Sequence, residues 1–168
     1  MRHPEGSNLT FLDPVDARIL LALDSEPRLP VVVLAERLGL ARKTVQTRLS
    51  RMEERALLRP HSDRVDPRTL GYLMEAAVTA EVEQPRLGAA VAALAEIPEV
   101  VAAAAISGEG DLLCRVVARD PDDLYRVTQE ILSCPGIRRT RTSLLMRDLL
   151  PYRALGLLRR LAGETPSR

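Results

Sequence analysis

Residues 34–54 read LAERLGLARKTVQTRLSRMEE, and their polar groups share one chemistry. Guanidinium, ammonium, amide and hydroxyl groups can all meet phosphate oxygens and base edges. Arg42, Lys43, Thr44, Gln46, Thr47, Arg48 and Arg51 crowd into one short stretch. Arginine's planar fork suits phosphate or guanine, an amide such as Gln46 can read a base edge, and threonine is short enough for a phosphate or a thymine methyl. Such groups act together only if a rigid element holds them on one side. Val45, Leu49, Met52 and Ala56 recur at helical spacing, so a helix would bury that stripe and turn most of the polar groups outward. Arg48 and Arg55 flank the stripe, where they could hold either a DNA backbone or an acid such as Glu36. Upstream, Gly39 separates this helix from a shorter one, and glycine's access to positive φ lets the chain turn within a few residues. Two short helices at a tight turn, the second cationic, form the layout of a helix-turn-helix, which places its second helix in the major groove of duplex DNA. The competing reading is a merely solvated helix face, which charge runs usually are.

Net charge does not decide between them, because 24 Lys and Arg stand against 23 Asp and Glu. The distribution does. Residues 37–59 hold seven cations and two acids, whereas residues 73–168 hold twelve cations and thirteen acids. Positive potential confined to one region is what a phosphate-facing surface requires.

The elements that must position these groups are legible around them. Asp13-Pro14 has the form of an N-cap with proline in the first turn, and Val15, Ile19, Leu20 and Leu23 follow at helical spacing, so a first helix is expected over about residues 14–24. Pro30 is expected to open a second helix, and the third to cover about residues 42–54. Residues 57–65 read as two short strands around a polar turn. That would make a wing, with Arg59 and Arg64 on the DNA backbone and His61 either there or simply solvated. Residues 66–72 form the expected hinge.

Beyond the hinge the periodicity changes. Met74, Ala76, Val78, Ala80 and Val82 alternate with Glu75, Thr79 and Glu81, which is a strand pattern. A helix over about residues 86–96, strands over 100–107 and 111–118, a helix from Asp120-Pro121 to about 132 and a last strand over 137–145 complete the order βαββαβ. That order predicts a ferredoxin-like sheet with both helices on one face. Residues of the strands alternate apolar on both faces, and a bare apolar face is rarely tolerated by a monomer, so self-association through the sheet is expected. The fold class is thus α+β: a winged helix-turn-helix over 13–65 after an N-terminal tail of residues 1–12, then a ferredoxin-like domain over 73–148. The amphipathic tail over 149–168 carries Leu155, Leu158 and Leu161 and should pack on its own domain or a neighbour. Cys114 and Cys134 lie in apolar stretches without metal-ligand spacing and are expected to pack, with no metal or cofactor.

From Leu12 to Leu145 the chain resembles the Lrp/AsnC, or feast/famine, family of bacterial and archaeal transcription regulators. The resemblance is carried by Leu12-Asp13, Asp16, Ile19-Leu20, Arg28, the LAERLGL run, Thr44-Val45, Arg48, Met52-Glu53-Glu54, Leu70-Gly71, Pro98-Glu99-Val100, the SGEGDL run from Ser107, and PGIRRTRT from Pro135. It implies a double-stranded DNA partner, a homodimer that can assemble to a tetramer or octamer, and an amino-acid effector bound between dimers. The effector site it implies is Ser107, Gly108, Glu109, Gly110 and Asp111 at the turn, with Thr140, Thr142 and Ser143 from the last strand. Asp111 would receive the ammonium and Thr142 the carboxylate. The same glycines could equally serve only a tight hairpin that Asp111 caps. Four positions depart from the family pattern: Ala41 replaces the usual capping serine, Ala56 the usual glycine, and Leu57-Leu58 the usual valine-isoleucine.

Two other functions compete. One is an architectural DNA-binding protein indifferent to metabolites. The other is an enzyme resembling the siroheme decarboxylases, which lean on histidines, but the expected sheet domain has no histidine to serve as a general acid, and no phosphate loop or catalytic dyad is present. No apolar run approaches the ~20 residues needed to cross a bilayer, so a cytoplasmic protein with no membrane partner is expected.

Overall fold

A computed structural model describes residues 11–164. The N-terminal tail expected over residues 1–12, with His3, lies outside the described residues except for Phe11 and Leu12, as do the last four residues of the C-terminal tail. The chain divides into two compact units. One joins the residues up to His61 with those from Pro151 on, and the other is Ser62–Leu150.

In the first unit, α1 (Pro14–Ser25) starts where Asp13 and Pro14 predict. The Asp13 carboxylate accepts from the amides of Val15 at 2.8 Å and Asp16 at 2.9 Å, and Asp16 reciprocates by accepting from the Asp13 amide at 3.0 Å. This is a capping box built with aspartate at the third helical position. The next helix, α2 (Val31–Leu38), ends at Gly39 with φ +65°, and the Leu40 amide then reaches back to the Ala35 carbonyl at 2.9 Å. α3 (Arg42–Glu54) follows. Ile19, Leu34, Ala35, Val45 and Met52 form the core, with Leu49, Leu57 and Leu58 packed against it.

Ala56 departs from the expected stripe. It is exposed, and at φ +49° it is the one non-glycine described residue with positive φ. It ends α3 by a left-handed turn in which the Leu57 amide bonds the Met52 carbonyl at 2.9 Å, the geometry that normally selects glycine.

The expected wing is absent. No strand forms over residues 57–65; a single 3-10 turn, His61–Arg64, stands there instead. Leu57 and Leu58 are drawn onto the core, Pro60 has no amide to give a ladder, and the Val65 amide closes locally on Ser62 at 3.1 Å. Too few residues remain to pair two strands.

The tail returns to this unit. α6 (Leu155–Leu161) packs on α1, with Leu155 and Leu158 half-buried, while the Arg59 guanidinium stacks over the Tyr152 ring at 4.0 Å. The tail thus packs on the helical unit at the other end of the chain, not on the sheet unit that precedes it in sequence.

The second unit contains β1 (Met74–Val82), α4 (Leu87–Ala95), β2 (Val100–Ala105), β3 (Leu112–Ala118), α5 (Pro121–Ser133) and β4 (Ile137–Leu144), in the sheet order β2-β3-β1-β4. All pairings are antiparallel, giving the expected ferredoxin-like arrangement. Val78, Ala80, Cys114 and Val116 from one sheet face meet Ala90 and Leu94 of α4 and Val127 and Ile131 of α5 in a single core. Both cysteines are buried free thiols in it, and burial pushes each up from its ordinary range. The opposite face combines exposed alanines of β2 and Leu113 with a Glu75–Arg115 ion pair. Among the described residues no helix is long and apolar enough to cross a membrane.

Because Ala56 holds a conformation that costs an L-residue roughly 1 kcal/mol or more, Ala56→Gly should raise the thermal midpoint of this unit. A calorimetric midpoint at or below the parent's would show that the turn is not strained.

Candidate nucleic-acid interface and small-molecule pocket

The outward surface of α3 carries Arg42, Lys43, Gln46, Thr47 and Ser50, all exposed, with Thr44 half-buried beside them. Val45 and Met52 sit at 0% exposure on the opposite side and hold the helix against the core. At its start Ala41 makes no side-chain cap, so the amides of the first turn point outward without an internal partner from that residue. These polar and cationic groups are therefore gathered on the solvent side of α3.

Arg48 and Arg51, expected among the DNA-contacting residues, are engaged elsewhere. The Asp16 carboxylate, at 0% exposure, receives Arg48 Nη1 at 2.8 Å on one oxygen and Arg51 Nη2 on the other. Arg48 Nη1 also donates to Asp13. Helical spacing explains the pairing: three residues apart, the two arginines lie on neighbouring turns and converge on one acid. The acids that Arg48 holds are Asp13 and Asp16 rather than Glu36. The Arg48 hydrogen bond, ahead of the opposing desolvation, holds the Asp13 carboxyl below its ordinary value, while the two acids raise Arg48. Of the remaining expected contacts, Arg59 lies over Tyr152 in the first unit, and Arg64 is exposed in the 3-10 turn of the second.

In the second unit the hairpin joining β2 to β3 folds down onto β1. The Asp111 amide donates to the Ala80 carbonyl at 2.9 Å, and the Asp111 carboxylate accepts from the Val82 amide at 2.7 Å and Gln84 Nε2 at 3.0 Å. Asp111, expected to receive a ligand ammonium, is thus a hairpin clasp. Close approach requires Gly110: at φ +96°, a Cβ there would stand 2.5 Å from Thr79 Cγ2 and 3.2 Å from the Ala80 carbonyl oxygen.

Beneath the hairpin is a pocket of about 240 Å³ lined by Thr79, Glu81, Glu109, Gly110, Arg139, Thr140 and Arg141. Of the residues expected at an effector site, Glu109, Gly110 and Thr140 line it; Ser107, Gly108, Asp111, Thr142 and Ser143 do not. Thr79, Glu81, Arg139 and Arg141 were not anticipated. The sequence did signal two of them: Thr79 and Glu81 occupy the second face of β1, and the register sets Thr79 opposite Arg141 and Glu81 opposite Arg139. Arg141 forms an ion pair with Glu109 of the hairpin.

A cationic second helix on a helix-turn-helix, in one chain with a ferredoxin-like unit that contains a pocket, defines a DNA-binding transcription regulator. The chain belongs to the Lrp/AsnC family: residues 12–53 match the AsnC-type helix-turn-helix domain and residues 75–155 the Lrp/AsnC ligand binding domain. It is 32% identical over 150 residues to the HTH-type transcriptional regulator AldR of Mycolicibacterium smegmatis, covering 87% of this chain and 88% of that one. The fold matches that of Escherichia coli AsnC with a TM-score of 0.76 at 23% identity, over 86% of this chain and 98% of the other. It also matches the feast or famine regulatory protein of Mycobacterium tuberculosis complexed with L-methionine, with a TM-score of 0.73 at 28% identity, over 85% and 97% of the two chains.

Removing one partner from a buried ion pair costs about 3–5 kcal/mol, so Asp16→Asn should unfold the first unit at lower denaturant. Arg51→Ala should do the same to a smaller degree. Unchanged denaturation midpoints in both would show that the cluster does not hold α3.

Acid stability follows from the lowered Asp13. Its contribution is complete above the ordinary value of 3.8 and is lost as pH falls through the lower folded value. Asp13→Asn should therefore flatten the dependence of stability on pH below about 4; an undiminished slope in acid titrations of that variant would reject the assignment.

Proposed function

We propose that the protein regulates transcription in the cytoplasm by binding specific duplex DNA as a homodimer, with α3 of each subunit in the major groove and an amino acid as effector. The observation carrying the DNA reading is the sorting of charge on α3. Arg48 and Arg51 are tied inward to Asp16, whereas Arg42, Lys43, Gln46 and Thr47 have no such ties and stand exposed. Arg42 and Lys43, at the first turn, meet phosphates; Gln46 and Thr47, one turn further on, reach base edges. Thr44 supports them, and Arg64 adds a backbone contact.

The apolar part of the open sheet face supports dimerisation through it, which would pair two α3 helices about one DNA turn, ~34 Å, apart on a partly palindromic site. Tetramers or octamers would stack further copies. The effector reading is supported by the pocket beneath the hairpin and by the L-methionine complex of the mycobacterial relative.

Lys43→Ala should weaken binding and lower the slope of log affinity against log salt by about one unit without altering sequence preference. Gln46→Ala should instead relax preference at one base pair, at a cost of about 1–3 kcal/mol. Binding measured across a salt series and an operator library tests both. If neither variant differs from the parent, α3 is not the DNA-reading element.

A further inference from the structure

The two units of the chain differ in charge. Residues 11–61 and 151–164, which make up the described part of the first unit, hold twelve cations and eight acids; Ser62–Leu150 holds ten cations and fourteen acids. The returning segment, residues 151–164, brings three arginines and one glutamate to the unit that is already positive. Gathering like charge costs self-repulsion, which a polyanion on the same unit would offset. Two of the three arginines have a reason of their own: Arg159 and Arg160 stand in the last turn of α6, where the helix carbonyls attract cations. Arg153 has none, because it precedes α6, at the end where a cation is disfavoured. Beside it in sequence, Tyr152 carries the Arg59 guanidinium over its ring at 4.0 Å. Arg59, Tyr152 and Arg153 are all exposed, and among the described residues neither arginine is paired with a carboxylate.

We infer that the returning C-terminal segment is part of the DNA interface: Tyr152 holds the Arg59 guanidinium, and Arg59 and Arg153 together grip backbone phosphates of the duplex. This rests on the DNA reading of α3 above and adds a second contact, built from both ends of the chain. Stacking engages only the flat face of a guanidinium, so the N–H donors in its plane stay available to a phosphate. A side chain already held on a ring also has less rotamer freedom to lose on binding, which makes the contact stronger than that of a loose arginine. Tyr152 is thus a positioning residue, while Arg59 and Arg153 are the contacting ones. The polyanion is duplex DNA because α3, in the same unit, brings it there. Phosphate contacts carry no sequence information, so the segment adds affinity and salt dependence and leaves base preference to α3.

The test is binding of the full-length protein, across a salt series, to a mixed-sequence duplex of about 40 base pairs, long enough for two half-sites and their flanks. Arg59→Gln and Arg153→Gln should each weaken binding about threefold or more and lower the slope of log affinity against log salt by about one unit. Tyr152→Ala should weaken binding without lowering the slope, since both charges remain, and should cost nothing further once Arg59→Gln is present. Tyr152→Phe keeps the ring face and should bind like the parent. The thermal midpoint without DNA shows whether each variant has folded. Arg59→Lys, which keeps the charge but not the planar fork, should retain the slope and lose part of the affinity, so a misfolded Arg59→Gln leaves the question open to measurement. Slopes unchanged in both arginine variants while Lys43→Ala lowers its own overturn this inference alone, as does a Tyr152→Ala effect of equal size with and without Arg59. If Lys43→Ala also leaves the slope unchanged, the DNA reading of α3 falls with it.

Discussion

The buried carboxylate of Asp16 is the constraint on which the DNA-binding unit depends. A fully buried carboxylate is costly unless its charge is matched and its oxygens are occupied, and here Arg48, Arg51 and the Asp13 amide meet both demands. The same group is the third-position member of the α1 capping box, so one side chain starts the first helix and fixes the third against it. Two of α3's cations face inward because of this acid, and the others face solvent. Holding the helix and exposing a cationic surface are consequences of one arrangement.

A second clasp performs the comparable task in the sheet unit. Asp111 ties the β2–β3 hairpin to β1 through one backbone and one side-chain hydrogen bond, and to Gln84 just beyond that strand through another, and Gly110 provides the clearance. The pocket exists because the hairpin is held over the β1–β4 pair rather than extended into water. Those two strands are also the ones that continue into the DNA-binding unit: β1 follows residues 62–73, and β4 leads through residues 145–154 to α6. The return of α6 to α1 makes that unit discontinuous in sequence, assembled from both ends of the chain.

Much of this was legible beforehand where local rules operate. Asp13-Pro14, Gly39 and Asp120-Pro121 mark element boundaries through hydrogen bonding and φ preference, and the observed boundaries agree to within a few residues. The alternation from Met74 to Val82 correctly divided core from open face. The wing failed for want of a local signal. A polar turn flanked by leucines suits a hairpin, but Leu57 and Leu58 had a stronger claim on them from the helical core. The ties of Arg48 and Arg51 to Asp16 had no local signal for a related reason: a cation's type and helical phase do not reveal whether an acid thirty-odd residues away in sequence has been buried opposite it.

The amino-acid sequence by itself determined the helix-turn-helix, the order of strands and helices, and the concentration of positive charge, because each follows from periodicity, capping and composition within a short window. Tertiary structure alone decided which arginines of α3 are tied inward, where α6 docks, and which side chains line the pocket. Those outcomes depend on pairing between distant segments: Asp16 with α3, Glu81 and Thr79 with Arg139 and Arg141, Arg59 with Tyr152. Electrostatic and packing energies act through space, and separation along the chain carries no record of them until the backbone has brought the partners together.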